Sequence, residues 1–266
     1  LVFYLLILIF KRKLLAALSS VLFLVHPVHI STVAYISARG DLLSTFFILA
    51  SCILFFRFMS SSNYVFYFLS IFASVFAFLS RENALFIVIF LMLIIFVSVK
   101  ERRRFKYLAG FLVLTVAYLV LRVIIFGQSG LAAHPGNISW FFSLVNFINI
   151  IWHYILLLLW PVNLRMFHSV TLITQLNGMV ILLSILGLIL LFVALSKWEK
   201  IKQLSPVVSF GLFWFLLGIM PVYFYFDAYP GLGKALMAES WLYLPSIGFC
   251  LVFAYLCLLN KKGKLI

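Results

Sequence analysis

The sequence predicts an all-α polytopic membrane protein, a bundle of transmembrane helices, on three observations. Hydrophobic residues make up 66% of the chain and charged ones only 10%, which leaves too little polar surface for a soluble domain. Apolar runs of about 16 to 22 residues recur along the chain, each long enough for a helix to cross a hydrocarbon core of roughly 30 Å. A membrane β-barrel would instead show shorter segments of alternating polarity. Finally, the net charge of +14 gathers in short connections: Lys11 to Lys13, Arg57, Lys100 to Lys106, Lys197 to Lys202 and Lys261 to Lys264. Such spacing encodes topology, with the basic connections cytoplasmic, so the charge is no nucleic-acid footprint and nucleic acid is excluded as a partner.

Residues 1–10 make a partial span. Full spans are expected near 14–26 (outward), 42–58 (inward), 64–80 (outward), 84–99 (inward), 107–126 (outward), 178–196 (inward), 205–222 (outward) and 241–259 (inward). That makes about eight crossings in a single transmembrane domain over 1–266, with no soluble domain. The stretch 140–160 is long enough to cross, yet crossing would place Lys197, Lys200 and Lys202 outside, so it is read as an interfacial helix. Ser139, Asn146, Asn149 and His153 recur near helical spacing as one polar stripe, and Trp140, Trp152 and Trp160 suit the headgroup region. A tilted crossing helix is the alternative.

This threading leaves Arg39, Arg81, Arg122, Arg165 and Lys234 near the outer side, with the acids Asp41, Glu82, Asp227 and Glu239. An ionisable residue at mid-bilayer costs about 2.5 to 3.5 kcal/mol on insertion scales, so such residues are few, paired, or turned toward a water-filled cavity. Arg39 with Asp41, and Arg81 with Glu82, read either as local ion pairs that fix helix ends or as parts of an outward-facing site. His26 and His29 read either as polar caps around the helix-breaking Pro27 or as site residues. His26-Pro-Val-His29 offers two imidazoles and no third ligand at zinc spacing, so no metal is expected. Cys52, Cys250 and Cys257 sit within or beside spans and are read as packing residues.

Three blocks of the sequence resemble a known family. His26-Pro-Val-His29 followed by Arg39-Gly-Asp-Leu-Leu43 is similar to the HPxH…xRxDLL signature of the transmembrane, tetratricopeptide-repeat O-mannosyltransferases and their bacterial relatives, of the GT-C class. Leu79-Ser-Arg-Glu-Asn-Ala84 resembles that family's LSKE-x-A element, and Ala235 to Cys250 resembles its ALMAERxLYLPSxGFC element. Two departures stand out, Ser31 where the family has Glu and Ser240 where it has Arg. The resemblance further implies a chain cut at both ends. A first helix and an outer loop with an acidic pair would precede Leu1, so that these residues alone would lack the general base and be inactive.

What the resemblance implies is a GT-C-like fold. It would transfer a sugar, a hexose such as mannose, from a polyprenyl-phosphate carrier to a protein hydroxyl or other acceptor at the non-cytoplasmic face. The carrier is a substrate and no cofactor is implied. Membrane lipid is the remaining partner, and the location would be the bacterial inner membrane first and the endoplasmic reticulum second. Arginine suits the carrier's phosphate, since its guanidinium stays charged and binds phosphate oxygens through paired hydrogen bonds. Arg39 and Arg81 lead as phosphate ligands, with Arg122 and Lys234 behind them. Asp41, Glu82 and Glu239 would orient those cations or contact sugar hydroxyls, and His26, His29 and Tyr243 from the same blocks would support them. The competing readings are a secondary transporter, which would bind nearer the midplane in repeated halves, and a non-catalytic membrane scaffold.

Overall fold

The computed structural model describes residues 1–98, 102–127, 140–173, 206–222, 228–229 and 234–259. Its first helix, α1 (Val2–Phe10), ends at Lys11, whose left-handed backbone (φ 55°) reverses the chain into α2 (Lys13–Val25). Pro27 cannot donate a backbone hydrogen bond, so α2 stops before it. A 3₁₀ turn over Pro27–His29 leads into the short α3 (Ile30–Ala34), bent by 53° from α2. After a second turn, Ile36–Ala38, α4 (Arg39–Ser61) and α5 (Tyr64–Ser80) form a hairpin. Ser62 adopts φ 57°, and Asn63 caps α5 by accepting the Val65 N–H at 3.0 Å.

A 3₁₀ turn, Glu82–Phe86, runs into α6 (Ile87–Ser98), and another, Arg102–Tyr107, into α7 (Leu108–Phe126). Beyond these lie α8 (Trp140–Leu159), β1 (Phe167–Thr171), α9 (Pro206–Ile219), β2 (Ala228–Tyr229), β3 (Lys234–Ala238), a 3₁₀ turn over Glu239–Leu242, and α10 (Ser246–Leu258).

Each expected span within the described residues coincides with a helix, and residues 1–10 are helical too; the expected span at 178–196 lies outside them. Three helical stretches are individually long and apolar enough to cross a bilayer, Ile36–Ser61, Arg104–Phe126 and Phe141–Leu159, and a fourth crossing results if the bent pair Lys13–Val25 and Pro27–Ala34 counts as one. The chain is thus built as a helical membrane protein. Phe141–Leu159 meets the length and composition of a crossing, so the crossing reading of this stretch stands beside the interfacial one. Its polar stripe divides, with Asn146 buried and bonded to Ile173 at both backbone atoms (2.9 and 3.0 Å), Asn149 half-buried and His153 exposed.

The sheet is the element that the sequence reading lacks. It has the order β1-β3-β2, all antiparallel, with Phe167 opposite Ala238 and Thr171 opposite Lys234. Its strands are short and lie in segments read as connections, where no period-two pattern is long enough to separate strand from loop.

Packing between the helices relies on small and hydroxyl side chains, which let helices approach and hydrogen-bond where lipid offers no hydrophobic drive. Ser51 on α4 lies 2.9 Å from both Ser70 and Ser74 on α5. On α9 and α10, Gly211 and Gly248 face each other so closely that a Cβ at Gly248 would sit 2.2 Å from the Gly211 carbonyl oxygen. Around Leu5, Phe55, Phe90, Phe210 and Trp214 lies the larger buried cluster. A second, around Val28, Tyr154, Ile219 and Leu242, supports the sheet and the site.

Candidate functional site

Hairpin geometry assembles the site. Two helices joined by a tight turn bring together residues equally far from that turn. Asp41 and Arg81 lie about twenty residues either side of Ser62, close to one span length, so the first turn of α4 meets the last residue after α5. Gly40 allows the approach, since a Cβ there would stand 3.1 Å from the Ser80 carbonyl oxygen. Arg81 Nε reaches Asp41 Oδ1 at 3.3 Å, with the Asp41 side chain 3% exposed and that of Arg81 36%.

The next hairpin repeats the arithmetic. Glu82 and Arg122 lie about equally far from the turn between α6 and α7, and Arg122 Nη2 donates to Glu82 Oε1 at 2.9 Å. Neighbouring residues at a helix junction point in different directions, so Arg81 and Glu82 do not pair with each other but diverge to separate helices. Likewise Arg39 does not pair with Asp41: it is exposed and makes no ion pair among the described residues.

Two open pockets adjoin the Asp41–Arg81 pair and share Asp41, Arg81 and Trp241 as a common wall. One holds about 420 Å³ of empty space and is completed by Glu82, Asn83, Gly218, Pro221 and Val222. The other, about 450 Å³, carries hydroxyl groups from Ser31, Tyr35, Ser37 and Ser240, beside Met166 and Phe167. The Arg81 guanidinium is held by its Nε contact with Asp41, and its other N–H groups meet no partner among the described residues. Asp41 Oδ2 is buried and has no well-formed hydrogen bond among the described residues, although Ser240 approaches the same carboxyl group.

Of the other expected site residues, Glu82 lines the first pocket while its carboxylate is taken by Arg122. Arg122 stands behind that wall, with Tyr118 as a further partner at 3.3 Å. Glu239 is 1% exposed and is not one of the residues that line either pocket. It accepts the Arg165 backbone N–H at 2.6 Å and lies 2.8 Å from His168 Nε2, which locks the loop before β1 onto the turn after β3. Replacing Glu239 by alanine leaves the Arg165 N–H without its acceptor, and such an orphaned group costs about 1 to 3 kcal/mol. Glu239→Ala is expected to lower the thermal midpoint of the full-length protein, whereas Glu239→Gln, which keeps an acceptor, lowers it less.

His26 accepts the Val28 N–H on Nδ1 at 3.3 Å, so its Nε2–H donates to the Leu158 carbonyl at 3.0 Å and ties the bend after α2 to α8. His29 is buried, 2.9 Å from the Ser246 hydroxyl and packed on Phe23 and Tyr243. Both histidines and Tyr243 therefore tie the bend after α2 to α8 and α10, and none of the three lines either pocket. Lys234 lies in β3 opposite Thr171; its side chain, like Asp227, lies outside the described residues. No group of three or more metal ligands occurs among the described residues.

Sequence reasoning missed Trp241 and Asn83. Trp241 directly follows the Glu239-Ser240 pair, and Asn83 follows Arg81-Glu82, so a polar or aromatic side chain beside a charged junction was the available signal.

Over 242 residues, 89% of this chain, the sequence is 30% identical to a protein O-mannosyl-transferase of Caenorhabditis elegans. The chain spans about a third of that protein's length, 33%. No family model matches the chain, and no solved structure matches it. The likeness supports a relationship to a glycosyltransferase.

Proposed function

We propose that the chain is the membrane part of a GT-C type glycosyltransferase, with about eight spans once the shorter apolar helices are counted as crossings. It would move a hexose such as mannose from a polyprenyl-phosphate carrier to a protein hydroxyl. The observation that carries this reading is the Asp41–Arg81 pair between two pockets at the ends of apolar helices. A lipid-linked donor keeps its chain among such helices and its phosphate at their ends. In the membranes that the family resemblance implies, bacterial inner membrane first and endoplasmic reticulum second, the active face is the non-cytoplasmic one.

In the reaction the bond between the sugar's anomeric carbon and the phosphate oxygen breaks, its electron pair leaving with the phosphate, while the acceptor oxygen bonds to that carbon and gives its proton to a general-base carboxylate of the full-length protein. Negative charge grows on the leaving phosphate. A cation already held in position stabilises that charge without reorganising, and Arg81, fixed through Nε, presents its remaining N–H groups for this. Asp41 acts as the positioning residue. Acids and bases gathered together at the outer helix ends, and no internal repeat evident in the sequence, favour this reading over a transporter.

The test is transfer by the full-length protein reconstituted in liposomes, given labelled hexose on polyprenyl phosphate and an acceptor polypeptide. Label is expected on Ser or Thr hydroxyls. Labelling only from a nucleotide sugar, or none from either donor, would overturn the proposal.

A further inference from the structure

We infer that the pocket formed by Asp41, Asn83 and Trp241 is the subsite that reads the hydroxyls of the transferred sugar, with Asn83 as its specificity-determining residue; this rests on the function proposed above. The Ser44 hydroxyl on α4 donates to Asn83 Oδ1 at 2.7 Å. That bond engages the amide oxygen and orients the amide plane. Asn83 Nδ2 makes no hydrogen bond among the described residues, so two N–H donors remain at the pocket wall.

Asp41 lines the same pocket; its Oδ2 is buried and lacks a well-formed hydrogen bond among the described residues, with Ser240 approaching the carboxyl group. A buried acceptor left in this state costs free energy unless a ligand supplies a donor. Trp241 adds an aromatic wall, whose face suits the C–H side of a pyranose ring. Donor, acceptor and flat apolar wall are together what a ring bearing neighbouring hydroxyls requires: one hydroxyl donates to Asp41 Oδ2 and another accepts from Asn83 Nδ2. The charge balance agrees. Both carboxylates on this pocket's wall are ion-paired, Asp41 with Arg81 and Glu82 with Arg122, so the wall carries no unbalanced charge and suits neutral hydroxyls.

Among the described residues Asn83 forms no hydrogen bond with either ion pair, so its replacement removes no partner from the Asp41–Arg81 and Glu82–Arg122 contacts. The experiment compares polyprenyl-phosphate hexose with its series of monodeoxy analogues as donors for the full-length protein, measuring kcat/KM. The wild-type protein is expected to transfer the hexose about tenfold better than one monodeoxy donor, the effect of one hydrogen bond of about 1.4 kcal/mol. In Asn83→Ala that one preference should fall to near unity, while inhibition by sugar-free polyprenyl phosphate stays unchanged. Ser44→Ala, which frees the amide plane, should reduce the same preference partly.

If wild-type protein transfers hexose but Asn83→Ala keeps the full deoxy-donor preference, the sugar subsite lies elsewhere and the inference fails. A loss of sugar-free carrier binding equal to the loss of transfer would also overturn it, by placing Asn83 on the phosphate. Absence of any transfer by the wild-type protein would instead sink the proposed function itself.

Discussion

Arg81→Ala in the full-length protein is expected to cut hexose transfer by about a hundredfold or more, the scale seen when one preorganised donor to a developing oxyanion is removed. Two effects contribute and can be separated. The cation that would meet the leaving phosphate is gone, and Asp41, with its side chain 3% exposed, loses its ion-pair partner. Breaking a buried pair from one side is destabilising because a charge is left uncompensated, here moderated because the Arg81 side chain is itself 36% exposed. The double variant Asp41→Asn with Arg81→Ala removes that lone carboxylate. It should recover thermal stability relative to Arg81→Ala while transfer stays at the lower level. Arg81→Lys keeps the charge but loses the planar fork, so intermediate transfer is expected. Full activity in Arg81→Ala would show that the pair only pins α4 to α5.

Gly248→Leu should abolish recovery of folded protein, and Gly248→Ala should lower the thermal midpoint measured in detergent. A Cβ at this position would stand 2.2 Å from the Gly211 carbonyl oxygen and 2.8 Å from the Phe215 backbone nitrogen. Both obstacles are backbone, so no side-chain rotation relieves them and α9 must move away from α10. Overpacking of this kind costs about 1 to 3 kcal/mol even for small additions, more than the gain of about 1 kcal/mol from replacing a helical glycine by alanine. Separation of these helices would also disturb the Trp214 Nε1–H bond to the Leu244 carbonyl at 3.0 Å and, beyond it, the turn that carries Trp241. The reverse variant, Gly211→Ala, is also expected to lower the midpoint but less, because its nearest obstacle at 2.6 Å is a Val252 methyl group that can shift and its backbone obstacle, the Gly248 carbonyl oxygen, stands at 2.8 Å and not 2.2 Å.

Much of the bundle was legible in the chain, because membrane helices are fixed by the length of apolar runs and by where Lys and Arg interrupt them. The helix breaks at Pro27 and at Arg81-Glu82 could be read for the same reason. The ion pairs could not be read from adjacency. Arg39 with Asp41 and Arg81 with Glu82 are the sequence neighbours, yet Asp41 meets Arg81 and Glu82 meets Arg122. Both true pairs are forty residues apart, the length of two spans folded back on each other, which the span lengths already implied.

By itself the sequence determined the membrane class, the positions of the helices within the described residues, and the set of outer-end charges from which a site could be built. These depend on local composition, and a bilayer turns composition directly into structure. Only the tertiary structure decided which charges face the pockets and which are consumed as clips. Glu239 and Asp41 are both carboxylates beside helix ends, but Glu239 is taken up by Arg165 and His168 while Asp41 Oδ2 has no well-formed hydrogen bond among the described residues. That difference comes from β1 lying against β3, a pairing of segments about seventy residues apart, and local sequence carries no record of which distant backbone will supply a hydrogen bond.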